Sequence, residues 1–301
     1  MTASRPRCSG QSRLRKDQMA ATASHVRNWL LLEQPGAWGA EALTESRLPR
    51  AVARDLHEMG LRLGIRVVLI RRPDRRPDGR NVYLVHTGGR RTAPLLLHGV
   101  LDDPAALLEF DLRPLTAGRP VGFGRAIDVP LFLVCTNGRH DVCCAERGRP
   151  LYRTLAPEFP EETWECSHIG GDRFAGNLIC FPHGAYFGWV EPLEVVAIAR
   201  SYADGILDLL RYRGRSSWSI DIQAAEHFVR MEHGIRGVES LVPELRVRGS
   251  PTESEVKIEG ADGRRYTVVV RRDDSDLELL TCTATEPSPA RRFELVSLAV
   301  T

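Results

Sequence analysis

The sequence lacks several features that would assign it at once to a large class of proteins. No uninterrupted apolar run approaches the roughly 18 residues of a membrane-spanning helix, and the basic N-terminus lacks the apolar middle of a secretory signal. The charges nearly cancel, with 41 basic and 39 acidic side chains, so no excess of positive charge indicates a nucleic-acid partner. We therefore expect a cytoplasmic protein that binds neither nucleic acid nor a membrane.

The chain also lacks the short motifs of several common enzyme classes. It has no G-x-S-x-G, P-loop or G-x-G-x-x-G motif in a convincing context. It has no carboxylate pair in the context of a glycosidase, and no C-x-x-C pair of a thiol oxidoreductase. These absences argue against the hydrolases and nucleotide-binding enzymes that such motifs mark.

Cysteine, in contrast, is plentiful and clustered. Of the seven cysteines, three lie with a histidine in VCTNGRHDVCC (134–144), at the end of the apolar run VPLFLV. In a reducing compartment, clustered cysteines indicate metal or redox chemistry before disulfides. Cys135 and Cys144 are separated by eight residues, a loop long enough to wrap around a cofactor. Cys143 cannot easily direct its sulfur to the same point, so we expect it to be a small buried residue.

Charge and helix position favour ionised thiols in this stretch. Arg139, Arg147 and Arg149 lie nearby in sequence, and the loop leads into the N-terminus of a predicted helix. Both effects stabilise a thiolate relative to a thiol. Thiolates are the ligands that soft metals prefer, so the stretch predicts a metal site.

A second loop, SHIGGDRFAGN (167–177), has the composition of a binding loop. Gly170 and Gly171 allow tight backbone turns and separate His168 from Asp172. Taken alone, the loop is better explained as a tight turn with a satisfied histidine and a surface aspartate. Beside a segment that carries two thiols, it becomes a candidate ligand loop.

The order of the predicted elements is repeated along the chain. Residues 28–112 have the pattern of a strand, a helix, three strands and a helix, and residues 129–210 have the same order. This is the order of a thioredoxin-like unit, so we predict an α/β fold in which the first unit is a degenerate repeat of the second. The charged segment RRPDRRPDGR (71–80) is predicted to be a solvated hairpin turn. The predicted organisation is a flexible tail (1–26), an N-terminal α/β domain (27–125), a thioredoxin-like domain (126–212) and a C-terminal helix plus a small β-sheet (213–301).

The two loops together resemble a known family. The pair C-T-N-G-R-H-D-V-C-C and H-I-G-G-D-R-F-A-G-N, about 23 residues apart, is similar to the motifs of the sucrase/ferredoxin-like family. The resemblance extends to RNWLLLEQPGAWG, CFPHGAYFGWVEP and CTATEPSPARRFELVSL, and so covers most of the chain. It implies a thioredoxin-like ferredoxin domain with a 2Fe-2S cluster, which two cysteines and two histidines of an H-G-G-H type loop hold.

The ligands implied by the resemblance can be matched position by position. Cys135 and Cys144 match the two cysteines, and His168 matches the first histidine. Asp172 stands where the family pattern has the second histidine, and a carboxylate oxygen is a suitable ligand for ferric iron. Two further cysteines are alternative ligands at the fourth position, Cys143 and Cys166. The residues expected to donate hydrogen bonds to the ligands are Arg139, Arg173 and Asn177.

The function implied by the resemblance is single-electron transfer rather than an enzymatic reaction, with an unknown redox partner such as a reductase. Three alternatives remain open at this point. A thiol-redox protein would use Cys135 with Cys143 or Cys144. A zinc protein would bind the metal with Cys135, Cys144, His168 and Asp172. The last alternative is a binding scaffold with no cofactor.

Overall fold

The computed structural model describes residues 6–73 and 78–301. Residues 1–5 of the predicted tail and residues 74–77 of the predicted hairpin turn lie outside these ranges. Within them the chain forms a ten-stranded mixed β-sheet with helices and a separate four-stranded antiparallel sheet, so the predicted α/β class is confirmed. None of the helices in these ranges reaches the length and apolar character that crossing a lipid bilayer requires.

The first helix, α1 (Cys8–Arg15), lies within the segment predicted to be a flexible tail (1–26). Buried side chains in this segment include Cys8, Ser12, Met19, Ala21 and Ala23. Arg213 holds the segment in place by donating hydrogen bonds to the hydroxyl and carbonyl oxygens of Thr22, at 3.0 and 2.6 Å. The structure therefore differs from the predicted flexible tail here, because these small and apolar side chains pack against the rest of the protein.

Residues 28–126 form one half of the large sheet. Its strands are β1 (Asn28–Glu33), β2 (Ile65–Arg71), β3 (Arg80–His86), β4 (Leu95–Leu101) and β5 (Arg125–Ala126). Helix α2 (Arg50–Leu63) connects β1 to β2, which pair in parallel, and β3 and β4 continue the sheet as antiparallel strands. A 3₁₀ helix, Pro104–Glu109, and the short helix α3 (Arg113–Thr116) follow β4.

Residues 131–215 form the other half of the sheet. Its strands are β6 (Leu131–Cys135), β7 (Thr163–Cys166), β8 (Leu178–Phe181), β9 (Ala185–Phe187) and β10 (Tyr212–Arg215). Helix α4 (Val142–Leu155) connects β6 to β7, which pair in parallel, and helix α5 (Pro192–Ala203) follows β9. Strand β8 pairs antiparallel with both β6 and β9.

The two halves have the same strand order. It is β2–β1–β3–β4 in the first half and β7–β6–β8–β9 in the second. The halves meet through a short antiparallel pairing of β2 with β7, in which Ile70 lies opposite Cys166. Every residue of β1 and of β6 is buried, as expected for central strands that are covered on both faces. The repeated element order predicted from the sequence is therefore present in the structure.

The C-terminal region consists of a helix and a smaller sheet. Its elements are α6 (Ile220–His233), β11 (Leu241–Arg248), β12 (Glu253–Gly260), β13 (Arg265–Asp273), β14 (Leu277–Glu278), β15 (Ser288–Pro289) and β16 (Arg292–Val300). The sheet has the order β11–β12–β13–β16, and its inner face packs on α6 through Val229, Val256 and Tyr266. These elements agree with the predicted helix plus small β-sheet, whereas the predicted domain boundaries stay a prediction.

Candidate metal centre

The first loop of the candidate site joins the end of β6 to the start of α4. Cys135 is the last residue of β6, and Cys144 lies in the first turn of α4. Asp141 caps this helix, since its carboxylate accepts a hydrogen bond of 2.8 Å from the backbone N–H of Cys143. The cap fixes where α4 begins, and it thereby fixes the direction in which Cys144 points.

The second loop begins where β7 ends. Gly170 and Gly171 have φ angles of +98° and +83°, in the left-handed region that favours glycine. They turn the chain into a 3₁₀ helix, Asp172–Phe174, so that Asp172 returns towards His168. A Cβ atom on Gly171 would lie 2.2 Å from the guanidinium of Arg213, so the turn leaves no room for a side chain.

Replacing Gly171 with alanine is expected to destabilise the protein by about 2 kcal/mol, because the added methyl group meets Arg213 in a backbone conformation that is unfavourable for alanine. Thermal or urea unfolding would measure the change. Gly122→Ala is the matched control, since a Cβ atom there meets nothing within 4 Å. Equal stability of the two variants would contradict this account of the loop.

The structure brings the four predicted ligands together. The ligand atoms of Cys135, Cys144 and His168 all lie within 4.8 Å of one another. Asp172 Oδ1 lies 3.2 Å from Cys144 Sγ and 3.1 Å from His168 Nδ1. Two thiols, an imidazole and a carboxylate therefore form one compact group at the end of β6, which is a donor set suited to iron or zinc.

Burial and hydrogen bonding change the acidity of these groups. Hydrogen bonds from Cys144 and Cys166 lower the pKa of Cys135, which is only 1% exposed. Hydrogen bonding to Cys135 raises the pKa of Cys144, and burial raises the pKa of Cys166. Burial disfavours the charged form of His168, but its interactions with Asp172 and Cys135 outweigh this and raise its pKa to about 9. The thiolate of Cys135 and the protonated imidazole of His168 therefore stabilise each other.

The other candidates named from the sequence have different positions. Cys166 lies opposite Cys135 in the β6–β7 pair and hydrogen-bonds to it, so it is next to the group. Cys143 points away from the group, and its Sγ contacts Cys8 and Cys282. Arg139 is exposed.

The remaining predicted donors have other partners. Arg173 forms an ion pair of 3.4 Å with Asp17. Asn177 donates a hydrogen bond of 2.8 Å to the carbonyl oxygen of Gly171, and its Oδ1 accepts one of 2.8 Å from Arg213. Asn177 therefore stabilises the glycine turn by bonding to its backbone, and it does not donate to a ligand side chain in these contacts.

Sequence reasoning missed two basic residues at the second loop. Arg213 is buried and donates to the carbonyl oxygen of Gly170 at 3.2 Å, so it ties this loop to the N-terminal segment. Arg66 donates to the carbonyl oxygens of His168 and Ile169, at 3.0 and 3.3 Å. Neither residue lies near the loop in the sequence, so no local pattern could identify them.

His140 was also missed, although it lies within the quoted cysteine motif. Its ring stacks on the ring of His168, with centroids 3.7 Å apart and an interplanar angle of 19°. Its Nε2 atom lies 3.9 Å from Asp172 Oδ2. Its position in the sequence between Cys135 and Cys144 could have identified His140 as a residue of the site.

A large cavity borders the site. Its volume is about 850 Å³, and both His140 and His168 line it. The side chains of these histidines are 28% and 22% exposed, whereas that of Asp172 is 3% exposed. The cavity therefore gives access to the imidazoles, while the cysteines and the carboxylate lie beneath them.

Comparisons with known proteins identify the family of the chain. A family model described as sucrase/ferredoxin-like matches residues 19–214, about two thirds of the chain. Altered inheritance of mitochondria protein 32 from Meyerozyma guilliermondii is 30% identical over 95 residues. That similarity covers 28% of this chain and 34% of the relative, so the chain matches about one third of that protein's length.

Proposed function

Since the chain belongs to the sucrase/ferredoxin-like family, we propose that it holds a 2Fe-2S cluster and transfers single electrons. The observation that carries this proposal is the convergence of two thiols, an imidazole and a carboxylate from two separate loops. Thiolates and imidazoles are the ligands of 2Fe-2S clusters with mixed coordination. The ligands in this proposal are Cys135, Cys144, His168 and Asp172.

The residues of the site have distinct roles in this proposal. When bound, the cluster supplies a one-electron redox couple. Cys135 and Cys144 are each 1% exposed, so their burial keeps water from the sulfur ligands. His168 borders the cavity, which makes its side of the site the natural place for electron exchange. Histidine ligation raises the reduction potential, and the negative charge of Asp172 lowers it.

The description of the fold as thioredoxin-like belongs to the same proposal. In each half of the large sheet, a parallel strand–helix–strand unit is followed by two antiparallel strands in the order 2–1–3–4. In such a unit the active residues lie on the loop after the first strand. Cys135 and Cys144 flank that loop in the second half, whereas the first half has no cysteine in residues 28–126. We infer that the first half is the degenerate repeat.

The proposal includes a redox partner such as a reductase. His140, His168, Arg27 and Arg66 line the cavity beside the site, and they offer polar and basic contacts to such a partner. We place the protein in the cytoplasm, where a reducing environment would keep the clustered cysteines available as thiolate ligands.

The first test is to purify the protein without oxygen and measure visible absorption, iron, sulfide and zinc on one sample. A brown protein with about two irons and two sulfides per chain would support the proposal. A protein that stays colourless after cluster reconstitution would refute it.

A single zinc ion at this site is the second candidate. The observation in its favour is compactness, since the ligand atoms of Cys135, Cys144 and His168 lie within 4.8 Å of one another, as in a tetrahedral site. This second candidate predicts that the purified protein contains zinc and no iron, and that a Cys144→Ser variant contains one zinc fewer per chain. A thiol-redox function is less favoured, because Cys135 is only 1% exposed and a substrate could not reach it.

Replacing Asp172 with histidine restores the family pattern, and we expect the variant to keep its iron. The reduction potential is expected to rise by on the order of 100 mV, because a neutral ring replaces a negative ligand. Protein-film voltammetry or a redox titration followed by absorption would measure it. Asp128→His is the control, since Asp128 is exposed and lies outside the ligand group. An unchanged potential and spectrum would place Asp172 outside the coordination sphere.

A further inference from the structure

A second group of metal-ligand atoms lies on the other side of the first turn of α4. It contains the thiols of Cys8 from α1, Cys143 from α4 and Cys282 from the segment between β14 and β15, together with the carboxylate of Asp141. All four ligand atoms lie within 4.8 Å of one another. Cys8 and Cys282 are 274 positions apart, so the tertiary fold alone brings these groups together.

The three sulfur atoms form a nearly equilateral triangle. The Sγ–Sγ distances are 3.6 Å for Cys8 and Cys143, 3.3 Å for Cys143 and Cys282, and 3.5 Å for Cys282 and Cys8. A disulfide bond would require about 2.05 Å. Three thiolates around a tetrahedral zinc ion, each about 2.3 Å from the metal, are separated by roughly 3.8 Å. The triangle is therefore much closer in size to a metal site than to a disulfide.

Asp141 is held in position beside this triangle. Its Oδ1 accepts a hydrogen bond of 2.8 Å from the backbone N–H of Cys143, and its Oδ2 accepts one of 2.7 Å from that of Cys282. Its Oδ2 lies 3.7 Å from Cys8 Sγ. A carboxylate has about four lone-pair positions, so these two hydrogen bonds leave it able to bind a cation.

The second group is largely enclosed by the protein. Cys8, Asp141 and Cys143 are buried, and Cys282 is partly buried. The backbone N–H of Cys8 donates to Cys282 Sγ at 3.4 Å, a contact that stabilises a thiolate. Arg7, Arg15 and Arg173 lie close enough to interact electrostatically with these cysteines, and each of them also pairs with a carboxylate.

We propose that Cys8, Cys143 and Cys282 bind a structural zinc ion, with the carboxylate of Asp141 as the fourth ligand. Three thiolates and one carboxylate are ligands that zinc accepts, and four protein ligands close the coordination sphere, as in structural zinc sites. The ion joins α1 and the segment around Cys282 to the first turn of α4. That turn also carries Cys144, so the zinc ion would help to hold Cys144 in position for the neighbouring candidate centre.

The test compares zinc content in four forms of the full chain purified without oxygen: the unaltered protein, Cys282→Ser, Cys144→Ser and Cys180→Ala. We expect about one zinc per chain in all forms except Cys282→Ser, which should lose it. Cys180 is a buried thiol outside both groups, so its variant controls for the loss of a cysteine. Iron measured on the same samples reports on the other centre, which separates the two proposals.

A cobalt titration gives a second measurement. Metal-stripped, reduced Cys144→Ser protein should bind Co²⁺ with the near-ultraviolet absorption of thiolate-to-cobalt charge transfer, and adding Cys282→Ser should abolish that band. Asp141→Asn keeps an oxygen that can cap the helix but removes the charge, so Co²⁺ affinity should fall about tenfold or more.

Three outcomes would overturn the proposal. The first is equal zinc content in the unaltered protein and Cys282→Ser. The second is a Cys143–Cys282 disulfide in protein purified without oxygen, together with no cobalt band after reduction. The third is unchanged Co²⁺ affinity in Asp141→Asn, which would overturn the assignment of the fourth ligand. Because Asp141→Asn leaves all three thiols in place, it can still be tested if Cys282→Ser fails to fold.

Discussion

Replacing Cys144 with serine is expected to abolish iron binding and visible colour while the protein remains folded. Serine keeps the size of the side chain but removes the soft thiolate that iron–sulfur clusters require. Cys144 is 1% exposed and contacts Asp172 at 3.2 Å, so no other residue can easily take its place without moving the helix. Iron and sulfide analysis and visible absorption measure the loss, and far-ultraviolet circular dichroism reports on the fold.

The same result is expected for Cys135→Ser, since both thiols belong to one ligand group. Cys180→Ala is the matched control, because Cys180 is fully buried in β8 but is not a member of that group. It should keep its full iron content. Full iron content in both serine variants would mean that other residues hold the iron.

Replacing Glu226 with glutamine is expected to lower the free energy of unfolding by about 3 kcal/mol. Glu226 and Arg230 form an ion pair of 2.9 Å on α6, and both side chains are 0% exposed. Without the carboxylate, the guanidinium is left as a buried charge with only neutral partners, the carbonyl oxygens of Ile235, Gly237 and Val238. Urea denaturation at neutral pH would measure the change.

This pair also connects the C-terminal region to the large sheet, because the hydroxyl of Tyr212 in β10 donates to Glu226 at 3.3 Å. Glu58→Gln is the matched control. Glu58 forms a pair with Arg54 at the same helical spacing, but both side chains are about two thirds exposed, so we expect a loss below about 0.5 kcal/mol.

A double variant tests the physical reason for that loss. Glu226→Gln combined with Arg230→Met should recover much of the lost stability, because it also removes the unpaired charge. If the double variant is as unstable as Glu226→Gln alone, the buried charge is not the cause.

Much of the candidate centre could be predicted from the sequence because its signals are local. Cys135 and Cys144 flank a single loop after an apolar strand, and His168 and Asp172 flank two adjacent glycines. Such patterns follow from residue type and spacing, which act over a few residues. Sequence reasoning therefore selected the four residues that the structure brings together.

Other parts of the site could not be predicted in this way. Arg213 braces the glycine loop from another strand, and Cys8 and Cys282 meet Cys143 from opposite ends of the chain. The N-terminal segment was predicted to be flexible because its sequence is basic and rich in small residues. Those small residues are instead buried against the rest of the protein. Such packing depends on the shape of the surface they meet, and no local sequence pattern reveals that shape.

The sequence by itself determined the α/β class, the repeated order of strands and helices, and the two loops that carry the candidate ligands. Hydrophobic periodicity, helix caps and glycine turns encode these features, and all of them act between near neighbours in the chain. Only the tertiary structure decided that the two halves join through β2 and β7, and that three distant cysteines converge beside Asp141. The reason is that strand-edge pairing and side-chain packing depend on which surfaces meet after the chain has folded, and distance along the sequence does not specify this.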